Sequence, residues 1–304
     1  EVLFYLVFFA LTIIASRFSI DWMFYSKAFI YFAVVIGLIG ILRFTLSFDQ
    51  RAQSITSGYA TFSSYMLVAF TFCLFMKDNI KDAYSYIRPV ALSVMGAGIF
   101  LTMSRANIAI ALIAFLLSAF YKYIDIKHVF VIIFMTVIFV IIPISLNKFD
   151  EESVRTLNTT AVRDKVVLYE GAAKLSENRS IFGYGPRTFQ KIFPYSERLQ
   201  DRGIGSWHND FVQVYIESGY TGLLAFIFLL FSVVLTFWIN KESYFGDYNK
   251  LLNASFFSFL SLMSTTFTSG FISSPDLSIL FAILIFLVAN SEHQSLGKSP
   301  YNLV

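Results

Sequence analysis

Apolar runs of similar length recur along this chain, at residues 1–16, 26–46, 57–76, 87–103, 105–121, 128–146, 212–239, 250–268 and 274–290. A helix needs about 20 apolar residues to cross the hydrocarbon core of a bilayer. With no water there, the backbone must satisfy its own hydrogen bonds, so such runs are helices and not irregular segments. The pattern predicts an all-α, polytopic transmembrane bundle of about nine spans. Composition agrees: 14% of the residues are charged, against about 25% in a soluble domain.

The only long hydrophilic stretch is 147–209. The chain therefore divides into helices one to six (1–146), a long loop (147–209), helices seven to nine (210–290) and a tail (291–304). Ser104-Arg105-Ala106 alone separates the fourth and fifth runs, which could also be drawn as a tight hairpin. The sequence opens on Glu1 and enters an apolar run at once, with no basic n-region and no small-residue cleavage site. That start does not read as a signal peptide, and further spanning helices are expected ahead of it. A net charge of +3 spread along the chain gives no basic patch for nucleic acid. The single cysteine, Cys73, excludes an internal disulfide.

Orientation follows from the basic residues of the short loops. One set of loops holds Arg17, Lys27, Lys77, Lys81, Arg88, Lys122, Lys127, Lys241 and Lys250, with Lys298 in the tail. The other set offers Arg51 and Arg105, with Arg43 near a helix end. The bias predicts that 147–209 is external, that Arg105 shares its side, and that the tail is cytoplasmic. Within the long loop, Thr160 reads as the cap of a short amphipathic helix ending near Ser176. Its apolar face would be Val162, Val166, Tyr169 and Ala173, and its polar face Arg163, Glu170 and Lys174. Gly183-Tyr184-Gly185-Pro186 predicts a tight turn, with Phe189, Ile192, Phe193 and Tyr195 packed beneath the helix.

Two residue types in this setting carry chemistry. An arginine between two apolar stretches is costly unless it reaches water or a partner, so Arg105 is a functional candidate; its bland alternative is snorkelling at a helix end. Arg163, Arg179, Arg187, Arg198 and Arg202 fall on the same predicted side. Guanidinium forks match phosphate oxygens in pairs, so converging arginines suit a diphosphate. Arg105 and Arg163 are the first choices, Arg187 the next, and the others read as solvated loop charge. His208 ends the polar loop in Ser206-Trp207-His208-Asn209-Asp210, where a helix starting at Asn209 or Asp210 would favour a neutral imidazole. A neutral imidazole can accept a hydroxyl proton near pH 7, whereas Asp210 would pull toward the charged form. No metal-ligand spacing, cofactor motif or nucleophile elbow is present. Asp150, Glu151 and Glu152 read as solvated loop carboxylates.

Taken in order, Ser104-Arg105, Arg163, Phe182-Gly183-Tyr184-Gly185-Pro186, His208-Asn209-Asp210-Phe211 and Glu217-Ser218-Gly219-Tyr220-Thr221-Gly222-Leu223 resemble the O-antigen ligase and O-antigen polymerase family of bacterial membrane glycosyltransferases. The likeness spans roughly residues 90–240. It implies a multi-pass enzyme of the cytoplasmic (inner) membrane with its active site on the external, periplasmic face. Its donor would be a glycan on undecaprenyl diphosphate and its acceptor a glycan or lipid-linked hydroxyl; no cofactor, metal or nucleic acid is implied. Direct displacement by the acceptor predicts inversion. The roles that the resemblance carries over are diphosphate binding for Arg105 and Arg163 and action on the acceptor for His208. Polymerase is the first reading, ligase to the lipid A core the alternative, and a lipid-linked glycan transporter or flippase the rival from another class. The chain departs from the family in showing fewer spans than usual, and in Pro186-Arg187 where small residues are common.

Overall fold

The computed structural model describes Ile13 and residues 21–76, 84–146, 151–177, 181–202, 204–241 and 247–289. Among the described residues all regular structure is helical. The helices are α1 (Trp22–Thr45), α2 (Tyr59–Phe75), α3 (Tyr84–Leu101), α4 (Arg105–Phe120), α5 (Ile126–Leu146), α6 (Glu151–Ser176), α7 (Phe189–Ile192), α8 (Asp210–Lys241), α9 (Asp247–Thr265) and α10 (Pro275–Ala289), with a 3₁₀ turn at Ser196–Arg202. The all-α expectation holds, but nine full spans do not emerge. Three helices, α1, α5 and α8, are long and apolar enough to cross a membrane. The apolar helices α2, α4, α10 and Ile87–Leu101 of α3 are shorter, and the 1–16 run lies almost wholly outside the described residues. Several runs are trimmed because their ends supply turns: 57–76 yields a helix only over Tyr59–Phe75.

Helix α2 is the axis of the bundle. From Phe62 to Phe75 nearly every side chain is buried, and α1, α3, α4, α9 and α10 all contact it. A helix apolar on every side has no face to give to water, so burial all round is its stable place. By contrast α5 buries only Ile132 and Pro143 and turns most of its surface outward, as a lipid-facing helix does. Close approach comes from small residues: a Cβ on Gly37 would meet Val94 Cγ1 at 3.0 Å and one on Gly40 would meet Phe62 Cζ at 2.6 Å. Hydroxyls join α2 to α9, Thr71 Oγ1 lying 3.0 Å from Ser261 Oγ. One turn along, Phe75 stacks on Phe257 with ring centroids 3.9 Å apart. Stepping from 75 back to 71 steps α9 forward from 257 to 261, so the two helices run antiparallel. The end of α9 therefore shares one end of the bundle with the start of α2.

Three more ties gather at that end. Asn107 Nδ2 donates to Ser63 Oγ at 2.9 Å, which fixes the start of α4 beside the start of α2. Thr102 Oγ1 donates to the same Ser63 Oγ at 3.1 Å. The loop between α1 and α2 folds over them, with Ala52 N–H donating to Leu101 O at 3.1 Å and Arg43 paired to Asp49 at 2.8 Å. Arg88 ties the opposite end by donating to the carbonyls of Cys73 and Leu74 at 3.1 and 2.7 Å.

The 212–239 run is not one straight span. Gly219 has φ 68 and ψ −163 inside α8, which breaks the helix into arms 210–218 and 220–241. A straight helix would separate residues 211 and 226 by about 22 Å, yet the rings of Phe211 and Phe226 lie 5.5 Å apart. The first arm is thus folded back along the second. The bend frees backbone groups, and the 181–185 segment satisfies them. Tyr184 N–H donates to Ile216 O and Gly185 N–H to Glu217 O, both at 2.9 Å, while Thr221 N–H donates back to Ile181 O at 3.3 Å. The two glycine motifs singled out in the sequence meet here, for lack of room: a Cβ on Gly183 would lie 2.5 Å from Glu217 C.

Helix α6 also differs from expectation. It begins at Glu151, nine residues before Thr160, and ends at Ser176 as expected. Glu151 and Glu152, read in the sequence as loop residues, thus belong to its first turn. The face that packs is Leu168 and Ala172, not Val166 and Tyr169, which stay about half exposed. Leu168 and Ala172 form a small core with Phe189, Phe193, Leu199, Trp207 and Ile216, so the aromatic residues do pack against α6.

A methyl group at position 219 would sit 2.1 Å from Ile181 O and 2.7 Å from Gly183 N, on a backbone with positive φ. Gly219→Ala is expected to destabilise the fold by about 2 kcal/mol or more, read as a lowered unfolding midpoint in detergent. Gly205→Ala, whose Cβ would meet only Gln190 Nε2 at 3.8 Å, should unfold with the unsubstituted protein.

Candidate functional site

Site geometry starts from the five residues that join the loop to α8. Trp207 is buried, its indole edge-on to Phe189 and Phe193 at centroid distances of 4.9 and 5.7 Å. That plug holds the chain on one side of His208. On the other side Asn209 caps α8: its Oδ1 accepts from Val212 N–H at 3.1 Å, the bond expected of an N-cap asparagine. Its Nδ2 donates to Tyr169 Oη at 3.2 Å, which ties the cap to α6. Between these two anchors His208 adopts φ 51, a left-handed backbone uncommon outside glycine that only a strongly held surround maintains.

Asp210 is fully buried. Its carboxylate accepts from Phe271 N–H at 2.9 and 3.1 Å and from Ile272 N–H at 3.1 Å. Its own N–H donates to Thr266 O at 3.0 Å. The turn between α9 and α10 is thereby docked on the start of α8, and since α9 ends where α2 begins, His208 lies at the same end of the bundle as Arg105.

Burial is the main influence on the His208 imidazole and holds it below its usual value of 6.5. Hydrogen bonding to the Ser269 backbone raises it, the Lys165 charge lowers it and the Asp164 charge raises it. The net direction favours a neutral ring near pH 7, the form that accepts a proton. The balance has other origins than the sequence suggested. The acidic group acting on the ring is Asp164, because the Asp210 carboxylate is turned to Phe271 and Ile272.

The three arginines expected in the site fare differently. Arg105 is exposed at the first position of α4, on the His208 end of the bundle. Arg163 lies on α6, but its side chain is outside the described residues. Arg187 is exposed, with φ 56, in a turn that Thr188 Oγ1 closes by donating to Gly185 O at 2.8 Å. Of the arginines read as surface charge, Arg198 pairs with Glu170 at 3.3 Å and lies over the Tyr195 ring at 4.6 Å, while Arg179 lies outside the described residues and the side chain of Arg202 does too. The cation that acts on His208 is Lys165, which sequence reasoning passed over. A signal was present: residues 165, 168 and 172 share one helical face, the face that packs beneath Trp207.

The family model described as O-antigen ligase matches residues 90–227. No curated protein and no solved structure gives a significant match. The matched segment runs from α3 through the Gly219 bend and includes Arg105, Arg163, Arg187 and His208.

Asn209→Ala removes the α8 cap and the tie to Tyr169 together. A loss of about 1 kcal/mol is expected, with a lower unfolding midpoint. Asn209→Asp keeps the acceptor for Val212 N–H and should recover most of that loss.

Proposed function

We propose that this membrane chain, a member of the O-antigen ligase and polymerase family through residues 90–227, moves a glycan from an undecaprenyl-diphosphate carrier to an acceptor hydroxyl at the external face of the bacterial cytoplasmic membrane. The observation that carries this reading is His208, held by Trp207 and Asn209 and biased toward its neutral form. It stands at the bundle end that also presents Arg105. The family relation supports a glycosyltransferase-like enzyme of surface polysaccharide assembly.

In the proposed reaction the imidazole of His208 accepts the proton of the attacking hydroxyl. The acceptor oxygen forms its bond to the anomeric carbon as the bond from that carbon to the diphosphate oxygen breaks, and the electron pair leaves with the lipid diphosphate. A single displacement inverts the anomeric centre. Charge grows on the leaving diphosphate in the transition state, where fixed cations stabilise it most. Arg105 and Arg163 are assigned to that charge and Arg187 a lesser share of it. No metal is needed in this scheme. Polymerase is the preferred assignment, with a lipid-linked glycan as acceptor; the ligase alternative differs only in using the lipid A core.

Purified protein in nanodiscs, given a synthetic undecaprenyl-diphosphate-linked glycan, tests the reading. His208→Ala and Arg105→Ala should each lower turnover by about 10²–10⁴-fold. Normal product from both variants would overturn it, and offering either lipid-linked repeat units or lipid A core separates polymerase from ligase.

The pH dependence has a definite sign. Turnover needs the neutral ring, so the rate rises with pH through a midpoint below 6.5. Lys165 lowers that midpoint, so Lys165→Met should move the acidic limb up; Asp164 raises it, so Asp164→Asn should move the limb down.

A further inference from the structure

The transfer chemistry gives Asp210 no task, yet it is the one buried acid among the described residues. A carboxylate out of water is costly unless hydrogen bonds replace its hydration. Here the replacement is backbone: the successive N–H groups of Phe271 and Ile272 converge on its two oxygens at 2.9–3.1 Å. Paired amides aimed at one anion form a small nest that orients both partners. The turn so gripped is the one whose Ser269 backbone hydrogen-bonds the imidazole. Gly270 stands between, with φ 71, and a Cβ there would come within 2.8 Å of Asp210 Oδ1. No side chain fits between the carboxylate and the turn.

We propose that Asp210 is the positioning residue for His208: by gripping Phe271 and Ile272 it holds the 269–272 turn against the imidazole and so sets which ring nitrogen is left to accept the proton. This rests on the reading of His208 as the base. The geometry calls for a carboxylate, since both oxygens accept. An asparagine could offer one acceptor only, and in either orientation its amide hydrogens would face the Phe271 N–H, which both oxygens now accept from, donor against donor. The charged groups acting on the ring from α6 are Asp164 and Lys165, so the arrangement at Asp210 can be altered without removing either.

The test uses the protein labelled with ¹⁵N-histidine in nanodiscs, with His128→Gln, His293→Gln and the same replacement at any other histidine the protein carries, so that only His208 reports. The imidazole spectrum should show one tautomer with a slowly exchanging ring N–H. Asp210→Asn and Gly270→Ala disturb the same turn from opposite sides. Both are expected to give mixed tautomers, a lower His208 midpoint through loss of the Ser269 bond, and a kcat reduced about 10²-fold with donor KM little changed. A rapidly exchanging tautomer mixture in the unsubstituted protein overturns the proposal before any variant is made. So does an unchanged imidazole spectrum in Asp210→Asn, whether or not transfer is detected. A fall in activity that merely tracks the unfolded fraction, with the acidic limb unmoved, also overturns it. Failure of the base assignment is separate, and would appear as normal transfer by His208→Ala.

Discussion

Bending a helix next to lipid leaves backbone N–H and C=O groups without partners, and each such group is costly where water cannot reach. At Gly219 the difficulty is met by a second piece of backbone. The 181–185 segment lies across the break and exchanges hydrogen bonds with Ile216, Glu217 and Thr221. Everything around His208 depends on this exchange, because it lets the 210–218 arm fold back instead of continuing as a straight span. With that arm reversed, the start of α8 can reach the turn between α9 and α10. The glycines at 183 and 219 are required by contact as much as by conformation, since two backbones touch there with no space for a Cβ.

His208 is consequently held from three directions that are remote in sequence. The aromatic core under α6 fixes Trp207, the cap to Tyr169 and Val212 fixes Asn209, and the turn after α9 reaches the ring itself through Ser269. A left-handed backbone at a histidine is a small reservoir of strain, maintained because its neighbours leave it no alternative. Such holding suits a proton acceptor, whose efficiency depends on one nitrogen facing the reacting group. The bundle below supplies rigidity by another route. Its central helix is enclosed, its close contacts use glycine, and hydroxyls such as Thr71 and Ser261 join helices in pairs.

Much of the architecture was legible in the chain. Each of the eight apolar runs among the described residues corresponds to a helix, and a carbon-rich segment that must satisfy its own backbone has few alternatives. The start of α8 at Asp210 was readable because an asparagine before a helical turn is a local capping signal. Gly183-Tyr184-Gly185-Pro186 reads as a tight turn, but the turn falls at Pro186-Arg187 and residues 184 and 185 bond instead to the α8 bend. Less legible was anything that hydropathy averages away. The 212–239 run has the composition of one span, and only the φ of Gly219 together with the Phe211–Phe226 contact reveals two arms. On α6 the sequence pointed to Val166 with Tyr169, whereas Leu168 and Ala172 are the residues that pack. The choice was made by the aromatic residues that arrived from 189–207, not by periodicity.

Local sequence thus determined which segments are helical, where the polar loop lies and which imidazole ends it, since all of these depend on neighbours within a few residues. Tertiary structure alone decided that Asp210 would hold Phe271 and Ile272 and that Asp164 and Lys165 would be the charges acting on His208. Those relations join positions tens of residues apart. They exist only once helices have packed and a bend has been satisfied, and both depend on the shapes of surfaces that no single segment carries.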